Sequence, residues 1–309
     1  MNKNVIFSIL GVLILAVSGY YVFFSKNGDG KVLGTSINSF YSQKINEIDP
    51  PPKKNSNTID PVIRAGSAIL VHEPSKYFLY SKNSDQKVPI ASITKIMTAI
   101  ITLENYKLTD IIEIKSDSTN VTPSVMNLVP GERITVENLM YGLLLNSGND
   151  AALALSSSKM PLDSFVSLMN KKANELGLEN SIFKDPAGLD DNGVSSARDV
   201  AILFSYALKI EEIEKLISTA KTEVKSVDET VTHKLENSNR LTTGEIPLDG
   251  VIGGKTGYTP DAGHTLVCAA SRNNQLLISV VLNTTSNSPS ASAEETKKLL
   301  TWGFNSFQF

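Results

Sequence analysis

Pro89-Ile90-Ala91-Ser92-Ile93-Thr94-Lys95-Ile96-Met97-Thr98-Ala99 sets a serine three residues ahead of a lysine, at the start of an apolar run. Positions i and i+3 share a helix face, so Ser92 and Lys95 can point into the same small volume. Pro89 and Ser92 mark a helix start, because proline cannot continue a preceding helix and serine suits a terminus. A hydroxyl there lies near free backbone N–H groups that can stabilise developing negative charge. A lysine inside the run Ile90 to Ile101 is unexpected unless it is paired or functional. Burial and a neighbouring cation would lower its pKa, and a neutral amine can take the serine proton. Most Ser-x-x-Lys pairs are helix starts with a solvated lysine, so the meaning of this one depends on partners elsewhere.

Working outward, Ser67–Val71 and Tyr77–Tyr80 alternate as two strands joined by the polar turn Glu73-Pro74-Ser75-Lys76. After the Ser92 helix the pattern is mainly helical. Helices are expected from Thr135 to about Leu145, from Asn149 through Leu155, and from Asp163 to Leu176. Ser196 should cap another that runs to Leu208, with Asp199 in its first turn. From about Thr230 the pattern turns to strands: Val231–Leu235, Val251–Gly257, Thr265–Ala270 and Leu276–Leu282, before a last helix over Ala293–Trp302. Strands at both ends with helices between predict an α+β unit. One antiparallel sheet would be built from the two termini, packed with helices and a helical subdomain over a ligand cleft.

Composition narrows the function classes. The 309 residues suffice for one large domain or two small ones, and 41% are hydrophobic. A formal net charge of −3 and the lack of a basic patch give no reason to expect nucleic acid. One cysteine, Cys268, excludes an internal disulfide framework and a Cys-rich metal site. His72, His233 and His264 lie far apart without metal-ligand spacing, so neither a metal nor a cofactor is expected. Val5–Phe24 is an uncharged apolar run long enough to cross a bilayer, within an expected N-terminal anchor over residues 1–25. Ala16-Val17-Ser18 resembles a cleavage site, which keeps a signal peptide as the alternative. Residues 26–60, with Pro50-Pro51-Pro52 and Lys53-Lys54-Asn55-Ser56-Asn57, have the composition of a flexible linker. Residues 61–309 form the expected catalytic unit, held on the extracytoplasmic side of the membrane or secreted.

Two further short motifs supply partners for Ser92. Asn146-Ser147-Gly148-Asn149-Asp150 sits at a helix-to-helix junction and offers a hydroxyl and an amide on one sharp turn. Val251-Ile252-Gly253-Gly254-Lys255-Thr256-Gly257 reads as a strand ending in a cation and a hydroxyl, with Gly257 leaving room for a substrate backbone. Each is weak alone, a helix cap or an exposed strand end; together and in this order they form a specific constellation.

Ser92-x-x-Lys95, Ser147-Gly148-Asn149 and Lys255-Thr256-Gly257 resemble the three motifs of the penicillin-recognising serine enzymes. The surroundings of Ser92, together with Asp185-Pro186-Ala187-Gly188-Leu189, Ser196-Ala197-Arg198-Asp199 and Leu299-Leu300-Thr301-Trp302-Gly303-Phe304, are similar to the D-alanyl-D-alanine carboxypeptidase family of low-molecular-mass penicillin-binding proteins. The resemblance runs from about Ser67 to Phe304 and implies a β-lactamase/transpeptidase-like fold. It implies Ser92 as nucleophile, Lys95 as its base and Ser147 as proton relay. It implies Asn149, Lys255, Thr256 and Gly257 as substrate-binding residues. The N–H groups of Ser92 and Tyr258 would form the oxyanion hole. Peptidoglycan stem peptides are the implied substrates and β-lactams the implied inhibitors. Removal of the terminal D-Ala is the implied reaction. D,D-endopeptidase cleavage of cross-links is the alternative, ahead of a β-lactamase or a non-catalytic wall-binding protein.

Two departures bear on that choice. Ser290-Ala291-Ser292-Ala293-Glu294-Glu295 holds no arginine where carboxypeptidases of the family usually carry one. Ala262-Gly263-His264 resembles endopeptidase members more closely. The remaining residues have plain structural readings. His264 is expected to be packed, His72 and His233 structural or on the surface, and Cys268 in the core. Trp302 should pack the last helix on the sheet, and Arg198 with Asp199 either supports the cleft floor or opens a surface helix.

Overall fold

The computed structural model describes residues 50–122 and 124–309. The expected N-terminal anchor lies outside the described residues, as does the linker up to residue 49. Among the described residues no helix is long and apolar enough to cross a membrane.

Strands β1 (Ala65–His72) and β2 (Tyr77–Lys82) form the expected hairpin. The helical middle comprises α1 (Lys95–Asn105), α2 (Val136–Leu144), α3 (Asn149–Ser157), α4 (Leu162–Glu175), α5 (Ala197–Ala207) and α6 (Glu211–Ser218). A small hairpin of β3 (Lys221–Lys225) and β4 (Thr232–Glu236) follows. Strands β5 (Val251–Thr259), β6 (Gly263–Arg272) and β7 (Gln275–Thr284) then lead into α7 (Ala291–Ser306). The central sheet has the order β5-β6-β7-β1-β2 with every pair antiparallel, so β7 meets β1 and the two ends of the unit join in one sheet.

Alternation along β1 divides the core. Ala68 and Leu70 join Leu277, Val281, Leu299 and Leu300 on the face covered by α7. Ile69 and Val71 join Ile278, Val280, Ile96, Ile100 and Phe204 on the face covered by the helical layer. Both faces of β1 are therefore buried, as a period-2 strand between two helical layers requires. The caps agree with the sequence at two helices. The Thr135 hydroxyl accepts from Asn138 N at 3.2 Å and the Ser196 hydroxyl from Asp199 N at 3.2 Å.

Three features differ from the sequence expectations. Ser92 does not cap an α-helix: it lies in a 3-10 turn, Ala91–Thr94, and α1 begins at Lys95. The residue before it, Ala91, has φ +49°, a left-handed backbone that a right-handed α-helix does not admit, so the α-helix starts later. Helix α6 and strand β3 were unforeseen, although Ile213, Leu216 and Ile217 bury one face at helical spacing. Finally, Lys53–Lys54 pairs with Phe307–Gln308, so chain order begins ahead of residue 61.

Candidate active site

The Ser92 turn is held on one side by the loop after α4. Asp185 accepts four backbone N–H groups: Ala187 and Gly188 at 2.6 Å each, Leu189 at 3.0 Å and Asp190 at 2.8 Å. The Thr98 hydroxyl donates to Pro186 O at 2.6 Å and pins the same loop to α1. Gly188 sits at φ +77°, and a Cβ there would lie 2.0 Å from Ala91 O. Only glycine permits both that backbone and that approach. The loop thereby aims the Ala187 carbonyl at the first residue of α1.

Lys95 Nζ receives that aim. It lies 2.8 Å from Ala187 O, 2.7 Å from Asn149 Oδ1 and 2.8 Å from Ser92 Oγ, and the side chain is fully buried. Two of the three neighbours, the carbonyl and the amide oxygen, can only accept. A neutral amine satisfies the set completely: its two N–H groups go to Ala187 O and Asn149 Oδ1, and its lone pair faces the Ser92 hydroxyl. Burial is the main cause that pushes the Lys95 pKa well below that of a free lysine; the charge of Lys255 adds to it, while Asp185 and Asp150 oppose it.

The junction between α2 and α3 supplies the second side. Ser147 has φ +58°, a strained position for a serine, and carries its hydroxyl into the cleft. Thr122 and the stretch 124–128 fix this turn. Asn149 N donates to Ser124 O at 2.8 Å, and Asn149 Nδ2 donates to Thr122 O at 2.7 Å. That second bond orients the amide so that its oxygen faces Lys95. The Asp150 carboxylate accepts from Met126 N at 2.9 Å, Leu128 N at 3.1 Å and Ala151 N at 2.9 Å.

Strand β5 closes the third side. Lys255 Nζ donates to Ser147 Oγ at 2.8 Å and to Thr256 O at 3.0 Å. It too is buried, and desolvation lowers its pKa to about 7. A Cβ on Gly257 would lie 2.9 Å from Ile90 O and 3.0 Å from Ser92 N, so the strand end meets the Ser92 turn backbone to backbone. The Thr256 hydroxyl contacts the Ser238 hydroxyl at 2.5 Å. Tyr258, 58% exposed, stacks on His264 with ring centroids 4.4 Å apart.

The structure thus brings two hydrogen-bonded groups together, Ser92–Lys95–Asn149 and Ser147–Lys255, with Thr256, Gly257 and Tyr258 along the adjoining strand. Asp185, the Ala187 carbonyl and Ser238 were not assigned from the sequence. The Asp…Gly turn over 185–188 was the available signal for the first two. Other residues take structural places. His72 is buried between Ser75 Oγ at 2.6 Å and Gln275 Oε1 at 2.7 Å. Cys268 is buried, and burial pushes its thiol up to about 12. Trp302 donates to Ile59 O at 2.9 Å and packs edge-on against Tyr80 and Phe307. Arg198 does not support the cleft floor: it pairs with Asp85 at the surface and lies over the Phe78 ring.

Known proteins resemble this chain in sequence and in fold. The family model for D-alanyl-D-alanine carboxypeptidases matches residues 54–286. The chain is 36% identical over 256 residues to the D-alanyl-D-alanine carboxypeptidase DacF of Bacillus subtilis, covering 79% of this chain and 63% of that one. It is 32% identical over 239 residues to a D-alanyl-D-alanine endopeptidase of Pseudomonas aeruginosa, covering 75% of this chain and 76% of the relative. The crystal structure of the Streptomyces K15 DD-transpeptidase superposes with a TM-score of 0.75 at 30% identity, covering 80% of this chain and all of that one. The chain spans under two thirds of the length of its DacF relative.

Proposed function

The chain belongs to the D-alanyl-D-alanine carboxypeptidase family, and from that premise we propose that it is a serine D,D-peptidase that removes the terminal D-Ala from peptidoglycan stem peptides and is acylated by penicillins. One observation carries this reading: the buried Lys95 Nζ lies within hydrogen-bond distance of the Ser92 hydroxyl and of two acceptor-only oxygens, a set that a neutral amine satisfies with its lone pair toward Ser92. In this mechanism Lys95 takes the Ser92 proton as Oγ attacks the carbonyl carbon of the scissile peptide bond. The N–H groups of Ser92 and Tyr258 receive the oxyanion. Collapse breaks the C–N bond, and the proton passes through Ser147 to the departing amine. Asn149 hydrogen-bonds the substrate amide. Protonated Lys255 and the Thr256 hydroxyl receive the substrate carboxylate, and Gly257 lets the substrate backbone lie against β5. Water then attacks the ester, Lys95 taking its proton and passing it to Ser92 Oγ as the ester C–O bond breaks. With a β-lactam the same ester forms and persists.

Cleavage of cross-links is the second reading. It is favoured by the absence of arginine from Ser290 to Glu295 and by the similarity to an endopeptidase. The location follows from sequence: Val5–Phe24 would anchor the chain, residues 26–60 would tether it, and the peptidase unit would lie outside the cell membrane.

A mass-spectrometric assay on defined muropeptides tests the reading. The purified chain is given a pentapeptide monomer and a cross-linked dimer. Loss of one D-Ala from the monomer supports the carboxypeptidase. Conversion of the dimer to monomers with the pentapeptide untouched supports the endopeptidase. Loss of neither substrate, with no covalent labelling by a fluorescent penicillin, would overturn both.

A further inference from the structure

His233 and Glu132 form a buried pair outside the site, and nothing in the mechanism above uses them. His233 lies on β4 and Glu132 in the loop that precedes α2. His233 Nδ1 is 3.0 Å from Met126 O, and Nε2 is 2.7 Å from Glu132 Oε1. The other carboxylate oxygen, Oε2, accepts from Val129 N at 3.1 Å. The segment gripped in this way, 126–129, is the one whose N–H groups hold Asp150. Just ahead of it, Ser124 O and Thr122 O hold Asn149. The adjacent charged residues Arg133 and Lys234 are exposed, and the Asp150 carboxylate accepts from Met126 N and Leu128 N of the gripped backbone.

The hydrogen bonds fix a proton count. A carbonyl oxygen brings no proton, so Nδ1 must carry one to bond Met126 O. The contact between Nε2 and Glu132 needs one more, on either atom. The closed pair therefore holds two protons and has no net charge. Removing one leaves a buried anion facing an imidazole lone pair, which is repulsive and costly in a dry site.

We propose that His233 and Glu132 are positioning residues: a hydrogen-bonded clasp that holds residues 126–129, and with them Ser124 and Thr122, against the junction of α2 and α3, and so aims Asn149 at Lys95. The clasp rests on the reading of Lys95 and Ser92 given above only for its effect on acylation. Glu132→Gln separates the hydrogen bonds from the charge. Its amide N–H₂ donates to Nε2 of a neutral histidine and its oxygen still accepts from Val129 N, so every bond survives without a removable proton.

The test compares the full chain with Glu132→Gln and Glu132→Ala by amide hydrogen exchange and by acylation with a fluorescent penicillin. In the parent, Met126, Leu128 and Val129 should be protected from exchange. Glu132→Gln should keep that protection and acylate within about twofold of the parent. Glu132→Ala should lose that protection about tenfold and acylate roughly tenfold to a hundredfold more slowly, as displaced positioning groups do. The clasp is overturned if Glu132→Gln loses protection as Glu132→Ala does. It is equally overturned if Glu132→Ala lowers only the melting temperature, leaving protection and acylation intact. A parent that is never labelled would remove the reading of Ser92 and leave the exchange result to decide the clasp.

Discussion

Lys95 and Lys255 are two buried lysines of one cleft, and the structure treats them differently. Lys95 has three partners, two of which only accept. Lys255 has two, a hydroxyl and the carbonyl of the next residue. Burial lowers both, but Lys95 also sits in the field of Lys255, which adds to its shift, whereas desolvation alone lowers Lys255. One cleft can then hold a neutral amine beside a charged one. The difference teaches that the protonation of two lysines in one cleft is set by neighbours rather than by side-chain type.

The largest effect that could break this comparison is at the Lys95 end. Ser92→Ala should abolish covalent labelling by a fluorescent penicillin, and Lys95→Ala should slow it by roughly a thousandfold, the range of a lost general base. Labelling that survives Ser92→Ala would remove the nucleophile from the scheme. At the other end, Lys255→Met should slow acylation by about a hundredfold, since it removes the charge but leaves the base in place.

A sharper contrast comes from pH. Acylation should rise as Lys95 loses its proton and fall as Lys255 loses its own near 7. Lys255→Arg, which stays charged far above that value, should be slower but lose the alkaline limb. A stopped-flow pH profile in which the limb stays put would separate that limb from Lys255. Geometry gives a further effect. Gly188→Ala places a methyl 2.0 Å from Ala91 O at φ +77°, which should shift the Ser92 turn and slow acylation about tenfold while lowering the melting temperature. Unchanged kinetics would show that the loop at 185–190 does not set the Ser92 position.

The smallest expected effect is on stability. Lys255 is protonated more readily in the unfolded chain than in the folded one. Below about 7 both states carry the proton and the cost of burying it is at its full value. As pH rises from there toward the ordinary lysine range, the unfolded state binds more protons and the folded state gains stability. Denaturant titrations should show this gain in the parent and a shallower slope in Lys255→Met.

The three motifs were legible because each is a local pattern with a fixed offset, and the sheet was legible because its strands alternate. What escaped was contributed by the backbone or by distant pairing. The third partner of Lys95 is the carbonyl of Ala187, and a carbonyl has no signature in sequence. His233 was read as structural or surface; its burial is plain only when Glu132, distant along the chain, arrives beside it. Ser92 lies in a 3-10 turn rather than at a helix cap, and the loop packed behind it approaches Ala91 only because Gly188 has no side chain. Arg198 gave no local clue that Asp85 would draw it to the surface.

The pairing of β7 with β1 also has a consequence for the order of events during synthesis. Ser92 and Lys95 emerge early, but β5, which abuts the Ser92 turn at Gly257, emerges in the last third of the chain. Contacts that span most of a sequence form slowly, and ribosomes deliver the N-terminal part first. A nascent chain therefore carries its serine and lysine long before they share a cleft with Lys255. Acquisition of penicillin labelling during refolding would time the closure of that last strand pairing.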